Sequence, residues 1–192
     1  MGANNNLETS KSSWQLPDAL TPFDLYGWTR NNKRSNDENY MDIVLLITRS
    51  SYKKGGSMGC ILVKDHTAKT DEEFYNAIIA ASTNKSLFKP NDSDIHAEVS
   101  TIGQCAEKGV STRNGTIYIT MPPCKKCFGA IVSAGIKRIV SNKSCGEEMQ
   151  KIAQSHGIQL VNMFSFIEGQ KLRLNELIDI SKEERTRIQE ES

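Results

Sequence analysis

Pro123-Cys124-Lys125-Lys126-Cys127, taken together with His96-Ala97-Glu98, is the stretch on which the reading of the fold turns. One imidazole and two thiols make three ligands of the softness that Zn2+ accepts. Three protein ligands leave the fourth tetrahedral position open for water, which marks a catalytic site rather than a structural one. Cysteines three apart share a helix face, so both sulfurs can meet one ion. Glu98, two residues past the histidine, is placed to move protons to and from that water. A structural zinc knuckle needs a second ligand pair, which the sequence lacks, and a redox dithiol leaves His96 and Glu98 unexplained.

Outward from this pair, the apolar spacing predicts an alternation of helices and strands. A helix runs from Tyr40 to about Ser51, followed by strand β1 (Gly59 to Val63) and β2 (Tyr75 to Ala81) paired as a hairpin. Asp94 is read as the N-cap of a helix from Ile95 to about Lys108. Strands β3 (Gly115 to Thr120), β4 (Lys137 to Ser141) and β5 (Ile158 to Met163) alternate with helices closed by Gly135 and Gly157. A last amphipathic helix spans Ile167 to about Ile180. This order predicts an α/β fold, a five-stranded mixed sheet in which right-handed crossovers make β3, β4 and β5 parallel. By composition the chain divides into a disordered tail (1–13), an N-terminal arm and linker (14–39), one domain (40–180) and a solvated, fraying tail (181–192). The arm holds seven large apolar residues between Trp14 and Trp28, and is expected to dock on the domain.

Composition sets the class. The 192 residues, 38% hydrophobic and 24% charged, describe an ordinary globular protein with no apolar run of membrane-spanning length. Five cysteines, an odd count with no secretion signal ahead of them, argue against a disulfide framework and for the cytosol or nucleus. A net charge of +1 provides no global drive toward nucleic acid, so a small-molecule substrate is favoured. Cys60, Cys105 and Cys145 read as packing residues. Arg49, Lys53, Lys54, Lys85, Lys125 and Lys126 either bind a substrate phosphate or form a solvated surface.

H-x-E followed by P-C-x-x-C is the signature of zinc-dependent nucleobase deaminases, in which the glutamate is the acid/base and not a ligand. On these residues the chain resembles the cytidine/deoxycytidylate deaminase superfamily. The helix between β4 and β5 resembles the deoxycytidylate, cytosine and tRNA-adenosine branches, because small free-cytidine deaminases join these strands by a turn. Tyr40 to Leu46, Gly59 to Val63 and Ala134 to Ile139 look like deoxycytidylate deaminases, whereas His96 to Ile102 is similar to fungal cytosine deaminases. Two departures bear on the substrate. The Gly-Tyr-Asn-Gly-x-Pro segment of deoxycytidylate deaminases is replaced by Ala80-Ala81-Ser82-Thr83-Asn84-Lys85, and the Glu-Pro-Cys of tRNA enzymes by Pro122-Pro123-Cys124.

The resemblance implies a three-layer α/β/α fold, Zn2+ on His96, Cys124 and Cys127, and Glu98 as the catalytic acid/base. It further implies substrate contacts from Asn84, from the small Ala97 beneath the base, and from the backbone carbonyl of Pro122. The alternative for Asn84 is a turn asparagine, common after a strand. The implied activity is hydrolytic conversion of a cytosine-containing nucleotide, nucleoside or base to its uracil form, in a homo-oligomer. Two alternatives stand beside it: deamination of tRNA adenosine, and a non-catalytic deaminase-like subunit, although such subunits commonly lack the glutamate that Glu98 supplies here.

Overall fold

The computed structural model describes residues 16–49, 58–90 and 92–190. Helix α1 (Asn36–Thr48) starts earlier than its apolar spacing suggests. Ser35 accepts from the Glu38 amide while the Glu38 carboxylate accepts from the Ser35 amide, so a capping box extends the helix into the expected linker. A second capping box, Thr70 with Glu73, opens a short helix α2 (Asp71–Asn76) within the charged connection after β1 (Gly59–Val63). Tyr75 therefore belongs to α2, and β2 (Ile78–Thr83) begins later than expected. Helix α3 (Ala97–Glu107) is capped by His96 and not by Asp94. Then follow β3 (Thr116–Ile119), α4 (Lys125–Ser133), β4 (Arg138–Ser141), α5 (Glu147–Ser155), β5 (Gln159–Asn162) and α6 (Ile167–Glu190). The stretch read as a fraying tail thus continues α6 as helix. Among the described residues no helix is long and apolar enough to cross a membrane.

The sheet order is β2-β1-β3-β4-β5. β1 runs antiparallel to β2 and β3, and β3, β4 and β5 are mutually parallel, as expected. Strand alternation divides the core between two faces. Cys60, Leu62, Ile117, Ile119 and Ile139 pack under α3, α4 and α5, while Ile61, Val63, Tyr118 and Val140 face α1, α6 and the arm. The result is helices, sheet, helices in three layers. Gly59 allows α1 to lie close on β1, since a Cβ there would meet the Val44 carbonyl and the Thr48 hydroxyl at 2.5 Å.

The described part of the arm packs on this second face. Leu20, Leu25 and Trp28 are buried, and Trp28 Nε1 donates to the fully buried Asp42 at 3.0 Å. Asp42 also accepts from Gln170 and Arg173 of α6, each at 2.6 Å. Further along α6, Arg185 pairs with Asp24 and lies over the Tyr26 ring. Trp14 lies outside the described residues.

Candidate metal and active site

The chain direction of β2 matches that of β3, so both strands deliver their C-terminal ends to one edge of the sheet. His96 comes from the loop after β2 and Cys124 from the loop after β3. Each is the N-cap of its helix, with extended backbone (ψ 152° and 166°). The Cys124 sulfur also accepts from the Cys127 amide at 3.5 Å, which folds the first turn of α4 around it. Two helix N-termini therefore converge here and present partial positive charge to the ligand atoms.

His96 Nδ1 lies 3.4 Å from Cys127 Sγ and 3.7 Å from Cys124 Sγ. The three ligand atoms all lie within 4.8 Å of one another. Metal–ligand lengths for tetrahedral zinc place sulfur and nitrogen about 3.6 Å apart, so the observed spacing is that of two edges of a zinc tetrahedron. The chemistry of the cluster points the same way. Burial, then the adjacent Glu98 and Cys124, push the Cys127 thiol well above its usual range. A cation at the centre would remove that conflict. His96, Cys124 and Cys127 are thus positioned to hold a metal ion, and the donor set fits zinc.

Glu98 sits in the first turn of α3, nearly fully buried, within hydrogen-bonding reach of Cys127. Ala97 is buried beside it, and Pro122 is half-buried ahead of Cys124. Asn84, just past β2, accepts from the Met58 amide at 2.9 Å and donates to Ser93 Oγ at 2.6 Å. It ties the start of β1 to the loop that carries His96. Asp94, expected as a helix cap, instead accepts from the amides of Leu87 and Phe88 and pins that loop, whose base is closed by paired backbone bonds between Lys85 and Ile95. Neither Ser93 nor the Asp94 clamp carries a sequence signal, because both depend on the loop's path. Of the basic residues, Lys125 pairs with Glu148 of α5, and Arg49 reaches Asn175 of α6. Lys53 and Lys54 lie outside the described residues.

The sequence profile described as the cytidine and deoxycytidylate deaminase zinc-binding region matches residues 34–143. The chain belongs to this family. A tRNA-specific adenosine deaminase of Buchnera aphidicola is 32% identical over 115 residues, covering 58% of this chain and 69% of the relative. A cytosine deaminase of Candida albicans is 27% identical over 134 residues, covering 67% of this chain and 81% of the relative. Other relatives are matched over only 30% and 39% of their length. In fold, the chain superimposes on a dCMP deaminase from the cyanophage S-TIM5 with a TM-score of 0.54, at 22% identity, covering 66% of this chain and 96% of that one. These similar proteins thus carry names with three different substrates: tRNA adenosine, cytosine and dCMP.

Proposed function

We propose that the protein is a hydrolytic deaminase that converts the cytosine ring of a small nucleotide, nucleoside or base to uracil, with release of ammonia. Zinc at His96, Cys124 and Cys127 would supply the activation of the attacking water. The remaining work falls to the chain. Glu98 accepts the proton of the water that adds to C4 and delivers it to the adjacent ring nitrogen. It then takes the proton of the new C4 hydroxyl and passes it to the amino group, which leaves as ammonia as the C4 carbonyl forms. Ala97, having no side chain beyond Cβ, leaves room for the base above the ligand set. Asn84 and the Pro122 carbonyl are the groups that orient the base, and an Asn84 amide used in this way exchanges its bond to Ser93 for one to substrate.

The observation that carries this reading is the Glu98 carboxylate, buried beside Cys127 in a helix turn whose cap is a metal ligand. Glu98→Gln is nearly isosteric and is expected to keep zinc while lowering ammonia release by about 10⁴-fold, the upper end for general acid–base catalysis. Turnover within about tenfold of the parent, at full zinc content, overturns it. The substrate screen includes cytosine, cytidine, CMP, dCMP and an adenosine-bearing tRNA loop. The last is included because the Buchnera relative is named for that activity. Turnover of the tRNA loop alone would move the assignment to adenosine, and an inactive parent would favour a zinc-binding scaffold. The proposal places the enzyme in the cytosol or nucleus as a homo-oligomer, which sedimentation of the pure protein checks.

A further inference from the structure

The two lateral strands of the sheet differ. On one side β2 is covered, with Ala80, Ala81 and Ser82 buried. On the other side β5 lies at the surface, with Gln159 and Asn162 exposed and Leu160 and Val161 half-buried. The amides of Gln159 and Met163 donate to Lys137 and Ser141 on the β4 side. By strand alternation Leu160 and Asn162 therefore turn their N–H and C=O groups outward. Among the described residues these four groups have no backbone partner. Proteins blunt such a strand with charged side chains, proline or a bulge. The run from Ile158 to Phe166 contains no charged residue and no proline, and the pairing of β5 with β4 shows no register shift.

Two apolar features accompany the free strand. Phe164 and Phe166, directly after it, are 65% and 43% exposed. The turn that presents Phe164 is held in place. Asn162 Oδ1 accepts from the Phe164 amide at 2.9 Å, and Asn162 Nδ2 donates to Ser144 Oγ at 2.7 Å. Alongside β5 runs a cleft of about 390 Å³, lined by Ile158 and Leu160 and by Gln150, Ala153 and Gln154 of α5. Gln150 and Gln154 lie roughly opposite Glu148 around the helix, and Glu148 pairs with Lys125 of α4. The cleft is thus on the flank of α5 turned away from α4, beside the free strand.

We infer that β5 is an interface for a second copy of this chain, paired antiparallel about a two-fold axis at Val161. In that register Leu160 of each copy meets Asn162 of the other, and the two pairs exchange four backbone bonds. It is the register that uses all the outward groups of both strands. It also sets Phe164 of the second copy opposite Ile158, in the lining of the cleft. Phe164 has the strand parity of Leu160 and Asn162, the residues that face α5, and the two-fold axis brings the α5 faces of both sheets to one side. A protruding aromatic and an apolar cleft on the same strand thus meet their counterparts through one rotation. The inference gives the homo-oligomer proposed above a definite surface, and it does not depend on the deaminase assignment.

The test is the mass of the full, zinc-loaded chain by sedimentation equilibrium at micromolar concentration, for the parent, Phe164→Glu and Phe164→Tyr. The parent is expected to be a dimer or an even multiple of one. Phe164→Glu should raise the dissociation constant about 10³-fold, for two buried aromatic anchors per dimer at about thirtyfold each, with zinc content and far-UV circular dichroism unchanged. Phe164→Tyr should keep the parent's mass. A second readout is covalent. Val161 faces its own counterpart across the axis in a non-hydrogen-bonded pair, where Cα atoms lie about 4.5 Å apart, within disulfide range. Val161→Cys should therefore give a cross-linked dimer under mild oxidation that the parent does not give, and this result decides the matter if Phe164→Glu fails to fold. A monomeric parent overturns the inference. An oligomer whose mass Phe164→Glu leaves unchanged, or in which Val161→Cys forms no cross-link, overturns this interface and leaves the homo-oligomer standing on another surface. Neither readout measures turnover, so failure here is distinct from failure of the deaminase reading.

Discussion

At the N-terminal ends of β3 and β4, Arg138 spends its whole guanidinium within the protein. It makes two bonds to Asp37, at 2.8 and 2.6 Å, and one to Gln159 at 3.0 Å. Tyr118 donates to the same carboxylate at 2.7 Å, and His66 approaches Thr116 alongside. At the C-terminal ends of the same two strands the polar groups are left open. His96 and Cys124 are exposed, Asn84 and Asp94 tie the loops by hydrogen bonds, and the Lys125–Glu148 ion pair beside Cys124 is mostly in water. One edge satisfies its charges internally and stabilises the fold. The other leaves the side chains of a metal site accessible. Damage to the open edge is therefore expected in metal content and turnover, and damage to the closed edge in stability.

The largest expected effect that would break this contrast lies at the open edge. His96→Ala, Cys124→Ala and Cys127→Ala should each lose zinc by metal analysis. Chelation of the parent should abolish turnover and lower the melting temperature, since metal binding and folding are coupled. Full zinc retention in all three variants would remove the site. Next comes the closed edge. Asp37→Asn strands Arg138 and should cost about 2–3 kcal/mol by urea unfolding. That is below the figure for a fully buried pair because a fifth of the Asp37 side chain remains in water. Zinc content and kcat should be unchanged, and a loss of zinc would show that the two edges are coupled.

The pH dependence sharpens the same point. Burial alone would raise the Asp37 pKa, but the Arg138 guanidinium and the Tyr118 hydroxyl bring it below its usual 3.8. The folded state thus binds its proton later than the unfolded chain does. The stabilisation is complete above the unfolded pKa and is lost as pH falls from about 4 through the folded value. Acid titration of stability should show this fall in the parent and a shallower one in Asp37→Asn. The smallest effect is expected for Lys125→Ala. Both members of the Lys125–Glu148 pair are mostly exposed, so the change in stability should stay below about 1 kcal/mol. A larger loss would mean that the first turn of α4 leans on α5.

The sequence made the metal site legible because its ligands lie in two short local patterns, each at a helix start. Strand order from β3 onward was legible for a similar reason: a helix between two strands forces them parallel. Helix α2 was missed although Thr70-x-x-Glu73 carries a readable capping box, because the charged run around it reads as loop. Ser35-x-x-Glu38 likewise moves the start of α1 ahead of its first apolar residue. Asp94 has a capping residue's identity but serves a loop, and only its three-dimensional path reveals that. Asp37 and Arg138 are 101 residues apart, and nothing local marks either as the other's partner. The cleft beside β5 is equally silent, being assembled from a loop, a helix and an edge strand.

The arm and α6, the first and last described segments, meet on one buried carboxylate, Asp42, on the sheet face opposite α3 and α4. Treated as a mechanical object, the chain has a fastening near each end of its described length. A pull applied between residues 16 and 190 loads the exposed Asp24–Arg185 pair first and the Asp42 clasp second. Only after the arm and α6 peel away does tension reach the sheet, and the loops that hold His96 and Cys124 lie behind it. The metal ligands are thus shielded from force by the least catalytic part of the molecule.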